Sequence, residues 1–177
     1  PQHDSGNHTP LLDRLTVELD RVQRTRLPCA LLLATTGTDP EMATTAIEPC
    51  LHQVDIVTAF ETDGLALILP GTNLGKAKKR AEEFRSILEH AQKTGWEGMA
   101  FGIAVCHAYD TITADQLLAA AMAELKRAAT IGGNAICHAA AMSNENSCQV
   151  TVEERAHLFS AFLRADDTMS LAHGNHA

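Results

Sequence analysis

The chain has 177 residues, a length that fits one globular domain with tails and is too short for two ordinary ones. Lys and Arg total 14 against 22 Asp and Glu, a formal charge of −8 at pH 7 that excludes a generic basic footprint for nucleic acid. Hydrophobic residues make up 45%, enough for a chain of this size to bury roughly 70% of its unfolded surface without disulfide staples, which excludes global disorder.

The first residues, PQHDSGNHTP, carry no Met, basic n-region or apolar h-region. Residues 1–9 therefore read as a flexible tail, and the whole as a fragment of a longer chain without a signal peptide. Thr9-Pro10 is expected to open a helix through the Thr hydroxyl, with Leu11, Leu12, Leu15, Val17, Leu19 and Val22 as its apolar side and an end near Arg26. Residues 29–36, CALLLATT, form a nearly continuous apolar run of strand length and predict a central strand buried on both faces. Asp39-Pro40 caps a helix expected to run unevenly to about His52, interrupted near Pro49.

Residues 55–62 and 65–70 read as two strands joined by Asp63-Gly64, a dipeptide that tolerates the positive φ of a two-residue type I′ hairpin. Thr72 is expected to cap an amphipathic helix with Leu74, Ala77, Ala81, Phe84, Ile87 and Leu88 inward and Lys76, Lys78, Lys79, Arg80, Glu82 and Glu83 toward water. Residues 99–107 give another strand. An Ala-rich helix over 113–130 follows, opened by the capping box Thr113-x-x-Gln116 and closed by Ile131-Gly132-Gly133. Residues 134–140 are the last short strand and 141–150 a polar linker. Thr151-x-x-Glu154 starts a further amphipathic helix to about Leu163, with a frayed tail to 177. The domain is thus expected over 10–140, as a ferredoxin-like α/β sandwich: five strands, mainly antiparallel, flanked by helices.

Apolar runs at 64–70 and 99–106 are less than half of the roughly 20 residues a membrane span requires, so no span is expected and the domain reads as cytoplasmic. Five Cys at irregular spacing, mostly within apolar runs, read as reduced buried thiols rather than a disulfide framework.

The order of elements meets a specific residue pattern at 55–72. Asp55, Phe60, Asp63, Ala66, Leu69 and Pro70-Gly71-Thr72 match the frame D-x-x-x-R-(Y/F)-G-G-(D/E)-E-F-A-x-x-L-P-G-T. Phe101-Gly102-Ile103-Ala104 matches a following strand S-(I/V)-G-(I/V)-A, and Ala114-Asp115-Gln116-Leu117-Leu118 through Gly132-x-Asn134 matches the helix after it. Over about 10–140 the chain therefore resembles the GGDEF family, the diguanylate cyclases that join two GTP molecules into cyclic di-GMP.

The resemblance implies carboxylates that hold Mg²⁺ and cations that neutralise phosphate, and most of both are replaced here. Where the family places an acidic D-x-D-type segment at the end of the central strand, this chain has Leu33-Ala34-Thr35-Thr36-Gly37. The signature reads Glu61-Thr62-Asp63-Gly64-Leu65. Asp63 keeps one carboxylate, the Gly pair that admits phosphate has become Glu61-Thr62, and the next Glu has become Gly64. Two family phosphate cations fall on Ala129 and Gly133, with Lys126 and Arg127 a turn earlier. The family's inhibitory product site, R-x-x-D, reads His52-Gln53-Val54-Asp55, which keeps the acid and exchanges Arg for a pH-dependent cation.

Other features have bland readings. Asp63 alone fits turn chemistry, His52 with Asp55 fits an exposed pair at a strand entrance, and the run from Lys76 to Arg80 fits a solvated helix face. Cys106-His107 and Cys137-His138 end two strands that could be neighbours. Adjacent strand residues point to opposite faces, so neither pair readily ligates one metal ion. The sequence is read as a degenerate GGDEF-like domain without cyclase activity, a regulatory or protein-interaction module of a larger bacterial signalling protein that requires no cofactor. Its expected partners are other domains of the parent protein or a signalling protein, and a homodimer stays open. The alternative is a nucleotide receptor that binds cyclic di-GMP or GTP through His52, Asp55 and Asp63 without turnover; an active cyclase is the third reading.

Overall fold

The computed structural model describes residues 8–37, 39–91, 99–132 and 134–140. The chain divides into two units, Pro1–Met142 and Ser143–Ala177. The described residues all belong to the first, so the linker, the helix expected from Thr151 and the tail lie outside them.

The elements run α1 (Thr9–Thr25), β1 (Cys29–Thr35), α2 (Pro40–Ile47), a 3-10 turn (Glu48–Cys50), β2 (Ile56–Phe60), β3 (Gly64–Pro70), α3 (Leu74–Ala91), β4 (Ala100–Cys106), α4 (Ala114–Thr130) and β5 (Ala135–His138). Five strands form one sheet in the order β2-β3-β1-β4-β5. Every pairing is antiparallel except β4 with β5. This is the mixed, mainly antiparallel α/β sheet expected from the order of elements.

β1 lies at the centre, and its uniform apolarity follows from that position. Cys29, Leu31 and Leu33 join the core under α1 and α4, while Ala30, Leu32 and Ala34 join the core under α2 and α3. All six are buried. On the first face α4 lies so close to β4 that a Cβ on Gly102 would overlap the backbone of Ala121 and Leu125, and only glycine fits there.

Several local expectations give way to the structure. Thr9 is the first residue of α1 and His8, without a side-chain bond, occupies the cap position. Val17, expected on the apolar side, is 58% exposed, because Leu11, Leu15, Leu19 and Val22 already complete the buried stripe. Asn73, not Thr72, caps α3: its Oδ1 accepts from the Lys76 amide at 3.0 Å, and its carbonyl receives the Ala77 amide at 2.8 Å. Thr72 instead turns its hydroxyl to the Pro70 carbonyl at 3.4 Å. The capping box at Thr113 and Gln116 forms as expected.

The hairpin sits where expected but turns differently. Phe60 pairs with Gly64, so the loop is the three residues Glu61, Thr62 and Asp63, with Glu61 at φ +54 in place of the two-residue Asp63-Gly64 turn. Gly64 is needed inside β3 rather than in the loop. A Cβ there would come within 2.7 Å of the Ala34 carbonyl oxygen and 2.8 Å of that of Phe60.

Candidate functional site

The residues singled out from the sequence gather at two opposite ends of the sheet. Asp63 and the rest of the hairpin turn lie where β1 ends, since Thr35 pairs with Gly64. His52 and Asp55 lie at the other end, ahead of β2, whose first residue pairs with Ile68 near the close of β3. A five-residue strand separates the two groups by roughly 17 Å. The structure therefore brings His52 and Asp55 together and leaves Asp63 apart from both.

At the β1 end, two threonines occupy the stretch where the resemblance calls for acids. The Thr35 hydroxyl accepts the Ala100 amide at 3.1 Å, tying β1 to the start of β4. Thr36 is fully buried and donates both its amide and its hydroxyl to the Asp63 carbonyl, each at 2.8 Å. The turn is thus fastened to β1 through the Asp63 main chain, and Glu61, Thr62 and Asp63 stay exposed. Asp39, the next acid along the chain, accepts the Glu41 amide at 3.1 Å as the cap of α2. Among the described residues no three His, Cys, Asp or Glu side chains are grouped to hold a metal ion. Arg127, a candidate counter-charge for phosphate, pairs with Glu124 at 2.9 Å. Its hydrogen bond to the Cys137 sulfur, assisted by Glu124, holds it more firmly charged than a free guanidinium.

At the opposite end the chain folds tightly on itself. The His52 amide donates to Asp55 Oδ2 at 2.7 Å, and the Asp55 amide returns to the His52 carbonyl at 3.0 Å. Arg80 of α3 enters this turn from the side. Its Nη2 donates to Asp55 Oδ2 at 2.7 Å and to the Cys50 carbonyl at 3.1 Å, and its Nη1 meets His52 Nδ1 at 2.7 Å. The guanidinium also lies 5.0 Å from the Phe84 ring centroid, one helical turn along α3. The Asp55 side chain is 1% exposed and that of Arg80 9%, whereas His52 keeps 70% of its side chain in solvent.

Two expectations are corrected here. Asp55 is a buried ion-pair partner and not part of an exposed pair, and Arg80 belongs to the buried side of α3 rather than to its solvated face. Arg80 was hidden within a run of four cations over 76–80, although its spacing from Ala77 and Phe84 does place it on the inward stripe.

The two Cys-His pairs do not converge. Cys106 sits opposite Cys29 on β1, whereas Cys137 sits opposite Gly102, four residues earlier on β4. His107 reaches Asp110 at 3.4 Å, and His138 Nδ1 lies 3.2 Å from the Ala139 carbonyl. Burial, with Glu18 and Cys106 nearby, pushes the Cys29 thiol up to about 12, and burial with Asp110 pushes Cys106 up to about 11. Cys50 is exposed, unlike the other three described thiols.

No family model matches the chain, and no curated protein matches it. Solved structures do. One is the isolated GGDEF domain of PA1120 (TpbB or YfiN) from Pseudomonas aeruginosa, at TM-score 0.64 and 19% identity, covering 78% of this chain and 95% of that one. Another is the diguanylate cyclase SiaD of the same organism, in complex with its activator SiaC, at TM-score 0.64 and 22% identity over 75% of this chain and 58% of SiaD. A third is the GGDEF domain of DgcB from Caulobacter crescentus in complex with c-di-GMP, at TM-score 0.64 and 13% identity over 75% of this chain and 88% of that one.

Proposed function

We propose that this chain, which has the fold of the GGDEF domains of diguanylate cyclases, is a GGDEF-like regulatory or protein-interaction module that does not turn over GTP. The observation that carries the proposal is the threonine clamp at the end of β1. Thr35 and Thr36 spend their hydroxyls on the Ala100 amide and the Asp63 carbonyl, at the place where a second carboxylate would stand beside Asp63. A single exposed carboxylate would supply too few ligands to hold the metal ions that phosphoryl transfer of this kind would use. Glu61 adds an anion where triphosphate would approach, a further unfavourable term.

The proposed setting is a bacterial cytoplasmic signalling protein whose other domains or partner proteins read the module. The association of SiaD with SiaC makes a protein partner a natural kind of ligand for this fold. Among the described residues no helix is long and apolar enough to cross a membrane. The deciding experiment incubates the chain with GTP and Mg²⁺ and measures cyclic di-GMP. No product is expected; product whose formation Asp63→Ala abolishes would overturn the proposal.

A second reading, a receptor for cyclic di-GMP, is favoured by one feature: the open face of His52 beside Arg80, in a fold that DgcB presents in complex with that ligand. Ligand at about 100 times its Kd would stabilise the chain by about 2.7 kcal/mol, several degrees in Tm. The receptor reading requires that shift and its loss in His52→Ala.

A further inference from the structure

Between Arg26 and Lys76 the chain carries six acids, Asp39, Glu41, Glu48, Asp55, Glu61 and Asp63, and no Lys or Arg. Among the described residues only Asp55 of the six forms an ion pair, and the other five are exposed. The fold gathers this stretch at one margin of the sheet. β2 is an outer strand, and among the described residues it pairs only with β3. α2 packs on β2 and β3, whereas α3, which carries the lysines, packs on β1, β4 and β5.

Alternate residues of an outer strand turn their N–H and C=O groups away from the sheet, and proteins shield such groups with charged side chains, proline or a bulge. β2 reads Ile-Val-Thr-Ala-Phe, with neither charge nor proline. Beside it runs a groove of about 390 Å³ between Glu41, Thr44 and Thr45 of α2 and Val57, Thr58 and Ala59 of β2. Glu61 follows the strand directly, so the open main-chain groups lie between carboxylates.

We infer that the outer edge of β2 accepts an extended, lysine- or arginine-bearing segment of a partner protein as an added strand. The inference deepens the protein-interaction reading above and rests on it. Main-chain hydrogen bonds to β2 supply affinity, and the side chains of the added strand alternate between two faces. Those turned toward α2 meet Glu41 and its threonine neighbours, a polar and acidic wall that suits a cation. Those on the other face continue the side of Ile56 and Phe60, which suits apolar residues. The surrounding acids draw in a cationic segment and repel an acidic one. The charge pairs are exposed, so the association weakens with salt.

The probe is a fluorescent octapeptide of alternating lysine and valine, followed by anisotropy as the full chain is titrated in at an ionic strength of about 0.05 M. Saturable binding is expected, weaker at about 0.5 M, with slowed amide hydrogen exchange over 56–60. The same peptide with its backbone amides N-methylated keeps its charge but loses its donors, and should not bind. Ala59→Lys and Glu41→Lys, both at exposed positions, should keep the parent's unfolding transition and each weaken binding at least about tenfold. Asp13→Lys makes the same charge change as Glu41→Lys on the α1 side of the sheet, and should alter binding by less than about twofold. No binding up to about 1 mM peptide, equal binding of the methylated peptide, or equal weakening by Asp13→Lys overturns the inference. So does a dimer in sedimentation that excludes the peptide and that Ala59→Lys dissolves, which gives the edge to a second copy of the chain. Cyclic di-GMP production in the GTP assay overturns instead the reading on which the inference rests, so the two failures are told apart by separate measurements.

Discussion

Arg80 and Asp55 come from elements 25 residues apart and meet where water is nearly excluded, so each neutralises a charge that would be costly alone. Removing one partner is far worse than never having had the pair. Arg80→Ala is expected to lower the unfolding free energy by about 3–5 kcal/mol, because it strands the Asp55 carboxylate against the Cys50 carbonyl and His52. Chemical denaturation of the variant beside the parent measures this. Arg80→Lys should recover part of the loss: an ammonium can reach the carboxylate but lacks the fork that also serves Cys50 and His52. This contact was illegible in the sequence for a physical reason. A carboxylate just before a strand and an arginine within a cationic run both look like surface chemistry until tertiary packing closes one over the other. For cyclic di-GMP recognition the consequence is direct, since a ligand approaching Asp55 must compete with a guanidinium already bound to it.

At the scale of elements, β1, α1, α3 and α4 were readable because period and length speak for themselves, whereas α2 ends at Ile47, short of the expected His52. A two-faced apolar run admits only a central strand, and the Thr113 capping box marks the start of α4 without ambiguity. Turns were less legible. Asp63-Gly64 has a strong local preference for the two loop positions, but Gly64 is required beside the Ala34 and Phe60 carbonyls, and that long-range demand moves the loop to Glu61, Thr62 and Asp63. A prediction follows for the signature itself. Gly64→Glu, which places there the residue of the pattern the sequence resembles, should cost about 1–3 kcal/mol through overpacking against β1, and should not generate cyclase activity. A lowered Tm without cyclic di-GMP production is the expected result. Of the candidate site, the sequence located the hairpin and singled out His52 with Asp55 but could not tell that they stand at opposite ends of the sheet, which depends on how β2 and β3 register.

For the whole molecule, the two facing thiols Cys29 and Cys106 link the core to pH. Both are held protonated in the fold, at about 12 and about 11, against an ordinary value of 9.0. Between pH 9 and pH 11 the unfolded chain releases protons that the folded chain retains, so their contribution to stability is complete below pH 9 and declines as pH rises through that window. The alkaline loss of stability should be shallower in Cys29→Ala than in the parent once each is referred to its own stability at pH 8. Equal slopes would show that this thiol does not titrate with unfolding.

The central place of β1 also bears on how the protein is made. One of its neighbours, β3, follows soon after it, but the other, β4, supplies partners 65 to 77 residues further along the chain. At about 5–20 residues per second of synthesis, that side of a strand apolar up to its last residue, Thr35, waits several seconds before β4 can be translated. A nascent chain cut short before Cys106 would carry β1 as an open, uncharged edge, the form of strand most prone to pair with a stranger. The sheet's most stable position at completion is thus its most vulnerable one during birth.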